Sequence, residues 1–236
     1  MDSPDLPERE HIAALAGLAR INRSTGVAAA IYRRIRRYAR ELGRPIRLLD
    51  IATGSGDMPI HWARQSRRDG ITIHCTGVDI SPTAIAYATQ AAKQSRVDVQ
   101  FLQRDVLADR LPTGFDVVTC GLFIHHLSEP QIVHLLAAMR AVASHGVIVC
   151  DIERSRLNLA CVWVLAHAVS RSGIVHRDAV RSVKASLTRE EFCSLAQAAL
   201  DCPVRVDGLP PCRFIATMDE ATARVPGVVL AGVQSA

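Results

Sequence analysis

The sequence predicts an α/β protein built on one doubly wound, mostly parallel sheet of seven strands. Short apolar runs alternate with helical segments from residue 46 onward, and this order gives parallel strands with helices on both faces. The first apolar run ends in the glycine-containing turn ATGSGD, at the position where an open sheet of this kind binds its ligand. A chain of 236 residues suits one such domain.

Two helices are expected ahead of the sheet, at about 8–20 and 25–42, the second with Ser24 as its N-cap and Gly43 after its last turn. Residues 154–187 interrupt the later alternation with a largely helical insertion after the fifth strand. Thr188 then begins a capping box and one more helix. Strands are expected at 46–51, 71–78, 97–102, 115–120, 147–150, 203–207 and 212–217, and the helices between them at 57–69, 82–94 and 130–143.

These elements form a single predicted domain over residues 1–218, followed by a poorly ordered tail at 219–236. The domain has four parts: an N-terminal helical cap at 1–44, a ligand-binding core at 45–153, a helical lid at 154–187, and a closing helix and strands at 188–218.

Positive charge is concentrated in the second predicted helix, and the whole chain carries a formal net charge of +5. Helical spacing separates the apolar residues from most of the arginines, which is typical of a solvated amphipathic helix. A basic face of this kind does not by itself indicate nucleic-acid binding, so we expect no nucleic-acid partner. The apolar residues are Ile31, Ile35, Tyr38 and Leu42, and the arginines are Arg33, Arg34, Arg36, Arg37 and Arg40.

The seven cysteines are widely spaced and include no C-x-x-C pair. This pattern indicates neither a disulfide framework nor a zinc site, and we expect no bound metal. Cys120 and Cys150 each end an apolar, β-branched run. They are therefore expected to be buried strand residues.

The start of the chain, MDSPDLPERE, is acidic and polar, unlike a secretory signal or a transit peptide. The most apolar stretch, 157–169, is interrupted by Asn158 and His167 and is shorter than the ~20 residues that cross a bilayer. We expect no transmembrane segment and a cytoplasmic location. Either a monomer or a homodimer is compatible with this sequence.

The turn after the first strand carries the residues expected to meet a ligand. Gly54 and Gly56 let a ligand approach the backbone, and the following helix offers free N–H groups to an anionic group. Asp79 ends the second strand, 23 residues after Gly56, where a carboxylate can accept hydrogen bonds from both hydroxyls of a ribose. Asp105 follows the third strand and can accept from an adenine amino group. These positions point to a nucleoside ligand.

Four segments in this order, LLDIATGSGDMPI, GVDIS, FLQRDVLADRLP and FDVVTCGLFIHHL, resemble the class I methyltransferases. The resemblance covers about residues 46–152, and its first motif, LLDIATGSGDMPI, is most similar to that of the quinone-biosynthesis C-methyltransferases. It implies a Rossmann-like methyltransferase fold and S-adenosylmethionine as the cofactor, released as S-adenosylhomocysteine. The cofactor-binding positions it implies are Asp50, Gly54 and Gly56 around the methionyl part with Ala52 beside them, Asp79 for the ribose, Asp105 with Val106 for the adenine, and in addition Ile80 and Gly121. Ala52 stands where the family commonly has the first glycine.

Methyl transfer to a phenol or a carbon acid benefits from a base near neutral pH, and histidine is the usual choice. His125 follows the fourth strand and His176 lies in the insertion, so both are candidate bases. A looser resemblance, through DIERSR and VHRDAVRSVKASLT, is to methyltransferases encoded beside type III polyketide synthases. It implies a small phenolic, pyrone or quinone-like acceptor methylated on oxygen or carbon. Trp163, Arg177 and Arg181 are the candidate acceptor-binding residues.

Three other functional interpretations fit part of this sequence pattern. A nicotinamide-dependent oxidoreductase shares the strand, turn and distal acid, but its glycines are spaced G-x-G-x-x-G, whereas Gly56 here is followed by Asp57. An RNA methyltransferase fits the basic helix, but the segment after the fourth strand lacks the proline–aromatic motif of enzymes that grip a flipped base. A partner subunit that binds the cofactor without catalysis is the third alternative.

Overall fold

A computed structural model of the chain describes residues 8–161, 183–200, 202–210 and 212–219. Seven strands form one sheet in the order β3-β2-β1-β4-β5-β7-β6. All neighbouring pairs from β3 to β5 are parallel, and β7 is antiparallel to both β5 and β6. The strands are β1 (Ile46–Ile51), β2 (Ile73–Asp79), β3 (Val99–Gln103), β4 (Phe115–Gly121), β5 (Ala143–Ile152), β6 (Val204–Leu209) and β7 (Arg213–Asp219).

Six helices with assigned bounds accompany the sheet, and they lie on both of its faces, as the alternation of elements predicts. On one face, α2 and α3 pack against β1 and β4, and Trp62 of α3 donates its indole N–H to the carbonyl of Ala28 at 2.8 Å. On the other face, α5 and α6 pack together, and Phe192 of α6 packs on Phe214 of β7 with ring centroids 4.9 Å apart. The helices are α1 (Glu8–Thr25), α2 (Val27–Leu42), α3 (Asp57–Arg68), α4 (Pro82–Ser95), α5 (Glu129–Val142) and α6 (Arg189–Ala199).

The junction between the first two helices differs from the expectation. α1 continues through Ser24 to Thr25, and the N-cap of α2 is Gly26, so the prediction of Ser24 as N-cap was wrong. Gly26 has a φ of 70°, a left-handed conformation that glycine adopts without steric penalty, and its carbonyl accepts the N–H of Ala30. The left-handed conformation of Gly26 therefore separates α1 from α2, and no side-chain hydrogen bond caps the start of α2.

The amphipathic character predicted for α2 is confirmed. Its apolar face is buried against the sheet, with Ile31 and Ile35 fully inaccessible to solvent. Three of its arginines form ion pairs with acidic side chains elsewhere in the chain: Arg34 with Asp207, Arg36 with Asp69 and Arg37 with Asp219. Much of the positive charge of this helix is thus neutralised within the molecule itself.

The predicted strand cysteines lie in the core. Cys120 and Cys150 are 1% and 0% exposed. Burial raises the pKa of both thiols, that of Cys150 to about 12, so both stay protonated and unreactive near neutral pH. Cys75 in β2 is buried in the same way.

The insertion after β5 is described only at its two ends. Residues 156–161 are helical, and buried Asn158 donates its amide to the carbonyls of Glu153 and Cys212, which fixes the start of the insertion to the end of the sheet. The predicted capping box that opens α6 is present, since Thr188 accepts the N–H of Glu191 and donates its own N–H to the Glu191 carboxylate. The tail was predicted to begin at 219, but Asp219 is the last residue of β7. Residues 162–182 and 220–236 lie outside the described part of the chain. Among the described helices, none is both long and apolar enough to cross a bilayer.

Candidate functional site

The order of the strands reverses between β1 and β4, because β2 and β3 extend the sheet on one side of β1 and the chain then returns to the other side. Ile51 near the end of β1 pairs with Cys120 near the end of β4. Beyond this point the two strands lead into different connections, β1 into α3 and β4 into a 3-10 turn at Ile124–His126. A crevice at such a reversal is where open α/β sheets bind their ligands.

The turn from β1 to α3 is tied to the sheet through its backbone. Thr53 donates its N–H to the carbonyl of Val78 in β2, and Gly56 donates to the carbonyl of Thr53, both at 2.9 Å. Gly54 and Gly56 have φ values of 53° and 69°. Ala52 also has a positive φ, 53°, which an L-residue adopts at a cost of about 1–2 kcal/mol. The backbone at Ala52 therefore has the left-handed conformation that glycine adopts readily, although the residue is an alanine.

The two glycines face different surroundings. A side chain at Gly54 would meet no heavy atom within 4 Å, so the backbone there is open to an approaching ligand. At Gly56 an added Cβ would lie 2.7 Å from the Phe101 ring and 2.8 Å from the Ala88 Cβ. Gly54 thus provides access, whereas Gly56 permits α3 and α4 to pack closely beside the turn.

Asp50 at the end of β1 is only 3% exposed. Its two carboxyl oxygens accept the hydroxyls of Thr53 and Thr119, both at 2.7 Å. Burial raises the pKa of Asp50 to about 7, although the two threonine hydroxyls act in the opposite direction. A cationic group placed beside this carboxyl would favour its ionised form. Through these two hydrogen bonds Asp50 links β1, β4 and the glycine turn. This structural role was not predicted from the sequence.

Asp79 at the end of β2 also holds the glycine turn. One carboxylate oxygen accepts the N–H of Gly54 at 2.8 Å and the other accepts the N–H of Ser81 at 2.9 Å. The side chain is half-buried, and a carboxylate can accept about four hydrogen bonds, so two positions are left for a ligand. The neighbouring Ile80 is 62% exposed and Leu102 is 39% exposed. An acceptor pair beside exposed apolar side chains suits a ribose carrying an aromatic base.

Asp105 and Val106 follow β3 as predicted, but Asp105 has a local partner. Its carboxylate accepts the N–H of Leu107 at 2.9 Å, and its own N–H donates to Asp109. Val106 is 6% exposed and packs in the core beneath this turn. Gly121 at the end of β4 is packed against α3, because a Cβ there would lie 2.9 Å from the sulfur of Met58.

The segment after β4 places a histidine against a buried carboxylate. His125 Nδ1 lies 2.7 Å from Oδ1 of Asp151 at the end of β5, and the backbone N–H of His125 reaches the other carboxylate oxygen at 3.3 Å. The two side chains are 7% and 1% exposed. His125 is a predicted site residue, whereas Asp151 was not predicted as its partner. The signal available in the sequence was an acid at the carboxyl end of the strand next to β4.

The other predicted site residues cannot be placed beside these. His176, Trp163, Arg177 and Arg181 lie outside the described residues. Within the described ranges, no group of three or more histidine, cysteine, aspartate or glutamate side chains is arranged to hold a metal ion.

Part of the chain is similar in sequence to known methyltransferases. Residues 48–146 match the model of a family described as "Methyltransferase domain". Over 86 residues the chain is 38% identical to a demethylmenaquinone methyltransferase of Thermus thermophilus, covering 36% of this chain and 37% of the relative. It is 31% identical over 129 residues to the mitochondrial ubiquinone biosynthesis O-methyltransferase of Schizosaccharomyces pombe, an alignment that covers 53% of this chain and 44% of that relative. The chain therefore spans less than half the length of these relatives.

A solved structure extends the similarity over most of the fold. The plantazolicin methyltransferase BpumL, crystallised with a triazolic desmethylPZN analog and SAH, superposes with a TM-score of 0.67 over 91% of each chain at 16% identity. At this identity the likeness concerns the fold. The residues present fit S-adenosylmethionine, since Gly54 leaves an open approach and Asp79 keeps free acceptor positions beside exposed Ile80. Residues 48–146 therefore carry a methyltransferase domain, and the fold of the chain is that of a solved S-adenosylmethionine-dependent methyltransferase.

Proposed function

We propose that this chain transfers a methyl group from S-adenosylmethionine to an oxygen or carbon of a small hydrophobic phenolic, pyrone or quinone-like acceptor. The observation that carries the proposal is Asp79, whose carboxylate anchors the glycine turn through Gly54 and is half-exposed at the strand reversal. The similarity to a demethylmenaquinone methyltransferase and to a ubiquinone biosynthesis O-methyltransferase favours a quinone-related acceptor class.

The proposed roles of the residues follow from their positions. When bound, S-adenosylmethionine supplies an electrophilic methyl group. Asp79 accepts hydrogen bonds from the ribose hydroxyls, Ile80 packs against the adenine, and the open backbone at Gly54 lies beside the methionyl part. Much of the acceleration then comes from aligning the acceptor with the methyl group and excluding water. His125 is the candidate proton acceptor among the described residues.

The acceptor side of the site is proposed to come from residues 154–187, because this segment follows β5 at the same edge of the sheet as the glycine turn. In this proposal Trp163, Arg177 and Arg181 contact the acceptor, and His176 is a second candidate base. An apolar cover of this kind would suit a hydrophobic acceptor. We further propose a cytoplasmic enzyme, monomeric or homodimeric, that needs no nucleic-acid partner. The pairing of Arg34, Arg36 and Arg37 with carboxylates of the same chain supports the last point.

Incubating the purified protein with labelled S-adenosylmethionine and a panel of phenols, alkylpyrones and quinols tests the proposal. We expect label in the product of at least one of these classes, with mass analysis showing one added methyl group on oxygen or carbon. Asp79→Ala is the matched control, and we expect it to lower product formation at subsaturating cofactor. Label incorporated into RNA while the whole panel stays unmodified would contradict the proposal and favour the RNA methyltransferase alternative.

A further inference from the structure

The pair formed by His125 and Asp151 has features that a surface ion pair lacks. Asp151 is 1% exposed, and its carboxylate accepts three N–H groups: the ring Nδ1–H and the backbone N–H of His125, and the backbone N–H of Ile152 at 2.6 Å. These contacts fix the orientation of both carboxylate oxygens. A buried carboxylate held in this way constrains the group that it contacts more than a mobile surface acid would.

The contact also determines which ring nitrogen of His125 carries the proton. A carboxylate only accepts hydrogen bonds, so the nitrogen facing Asp151 must donate, and Nδ1 is protonated in the neutral ring. Nε2 then has a free lone pair and can accept a proton.

The pair lies at the ligand-binding edge of the sheet. Gly121 at the end of β4 pairs with Cys150, the residue before Asp151, and β4 is next to β1, whose end leads into the glycine turn. Leu122, between β4 and the 3-10 turn, donates its N–H to the carbonyl of Cys150 and has a φ of 57°. A left-handed backbone at a leucine costs about 1–2 kcal/mol. The chain therefore adopts an unfavourable conformation where it turns His125 toward the end of β5.

We propose that Asp151 is a positioning residue for methyl transfer to weakly acidic acceptors, acting by holding His125 with Nε2 free to take the acceptor's proton. The inference rests on the proposed function. In this step the O–H bond of the acceptor breaks and its proton binds to Nε2. The electron pair left on oxygen forms the new bond to the methyl carbon, while the carbon–sulfur bond breaks and its electron pair stays on sulfur. The proton later leaves Nε2 for solvent.

This role makes a prediction that depends on the acidity of the acceptor. A phenol with a pKa of about 10 is almost wholly protonated near neutral pH and needs a base. A phenol whose electron-withdrawing substituents lower its pKa well below neutral is ionised at that pH, so it needs no base. Removing the base should therefore slow transfer to the first acceptor and leave transfer to the second nearly unchanged.

The test compares kcat and KM of the wild type, Asp151→Asn and His125→Gln on a matched series of phenols of decreasing pKa. Asparagine keeps the shape of aspartate but has only one acceptor oxygen, so one of the three N–H groups held by Asp151 loses its acceptor and the ring of His125 is held less firmly. We expect kcat on the weakly acidic phenols to fall roughly 100-fold in both variants, with KM and the affinity for S-adenosylhomocysteine unchanged. On the ionised phenols the loss should be less than about threefold, because no base is required. The double variant should lose no more than either single variant.

His145, at the opposite end of β5 from Asp151, provides a matched control, because its Nδ1 lies 3.5 Å from Asp116 in β4. His145→Gln should leave the whole series unchanged. An equal loss on all phenols in Asp151→Asn and His125→Gln, or no loss in His125→Gln, would overturn the inference. If Asp151→Asn fails to fold, the dependence of the His125→Gln deficit on acceptor acidity decides the question. A wild type that methylates no acceptor would instead refute the proposed function, so the two failures are distinguishable.

Discussion

Asp79→Ala should weaken the binding of S-adenosylhomocysteine at least tenfold, about 1.4 kcal/mol. Two losses contribute to this effect. The proposed hydrogen bonds from the ribose hydroxyls to a charged acceptor are each worth about 1.5–3 kcal/mol. The substitution also removes the acceptor of the Gly54 N–H at 2.8 Å and of the Ser81 N–H at 2.9 Å, which frees the glycine turn from β2. Isothermal titration calorimetry on the folded variant measures the change directly.

Asp79→Asn is the matched control for this prediction, because its amide oxygen can still accept the N–H of Gly54. We expect its affinity to lie between those of the wild type and Asp79→Ala. Thermal unfolding of both variants separates the loss of ligand contacts from the loss of the turn. Unchanged affinity in folded Asp79→Ala would show that this carboxylate does not contact the cofactor.

Gly56→Ala should destabilise the fold by roughly 3 kcal/mol, the sum of the left-handed backbone cost and of overpacking. The backbone contribution follows from a φ of 69°. The overpacking arises because the new Cβ would lie 2.7 Å from Phe101 and 2.8 Å from the Cβ of Ala88, which has no flexible end to move. Urea-induced unfolding gives the change in the free energy of unfolding.

Gly54→Ala is the matched substitution, since its φ of 53° is similar but its surroundings are open. We expect it to cost only about 1 kcal/mol of stability, because a left-handed alanine is strained but meets no neighbour. Its methyl group would project into the space where the cofactor approaches, so the affinity for S-adenosylhomocysteine should fall. Equal destabilisation by the two substitutions would mean that the packing at Gly56 is not as tight as its neighbours indicate.

The central part of the fold could be predicted because its signals are local in the chain. The apolar run that forms β1, the glycine turn after it and the acid at Asp79 each stand out in a short window of sequence. The alternation of strands and helices then fixes a parallel sheet, which brings the ends of β1 and β2 to one edge. The positions of Asp50, Gly54 and Asp79 at this edge followed from the topology alone.

The features that escaped prediction depend on contacts between distant residues or on backbone conformation. The pairing of His125 with Asp151 joins positions 26 residues apart on adjacent strand ends. The threonines that hold Asp50 have ordinary sequence surroundings, and Thr119 reaches it only because β4 pairs with β1. At the start of α2, Ser24 has the side chain of a typical N-cap, yet the positive φ that Gly26 can adopt decides where the chain turns.

The central claim is that the crevice at the end of β1 and β4 is a binding site for S-adenosylmethionine and its product. Calorimetric titration of the wild-type protein with S-adenosylhomocysteine, and separately with NAD, tests this claim most directly. We predict saturable 1:1 binding of S-adenosylhomocysteine and no measurable binding of NAD, because the turn lacks the G-x-G-x-x-G spacing of a dinucleotide site and Asp57 places a carboxylate where the pyrophosphate would lie. Tight binding of NAD without binding of S-adenosylhomocysteine would contradict the account.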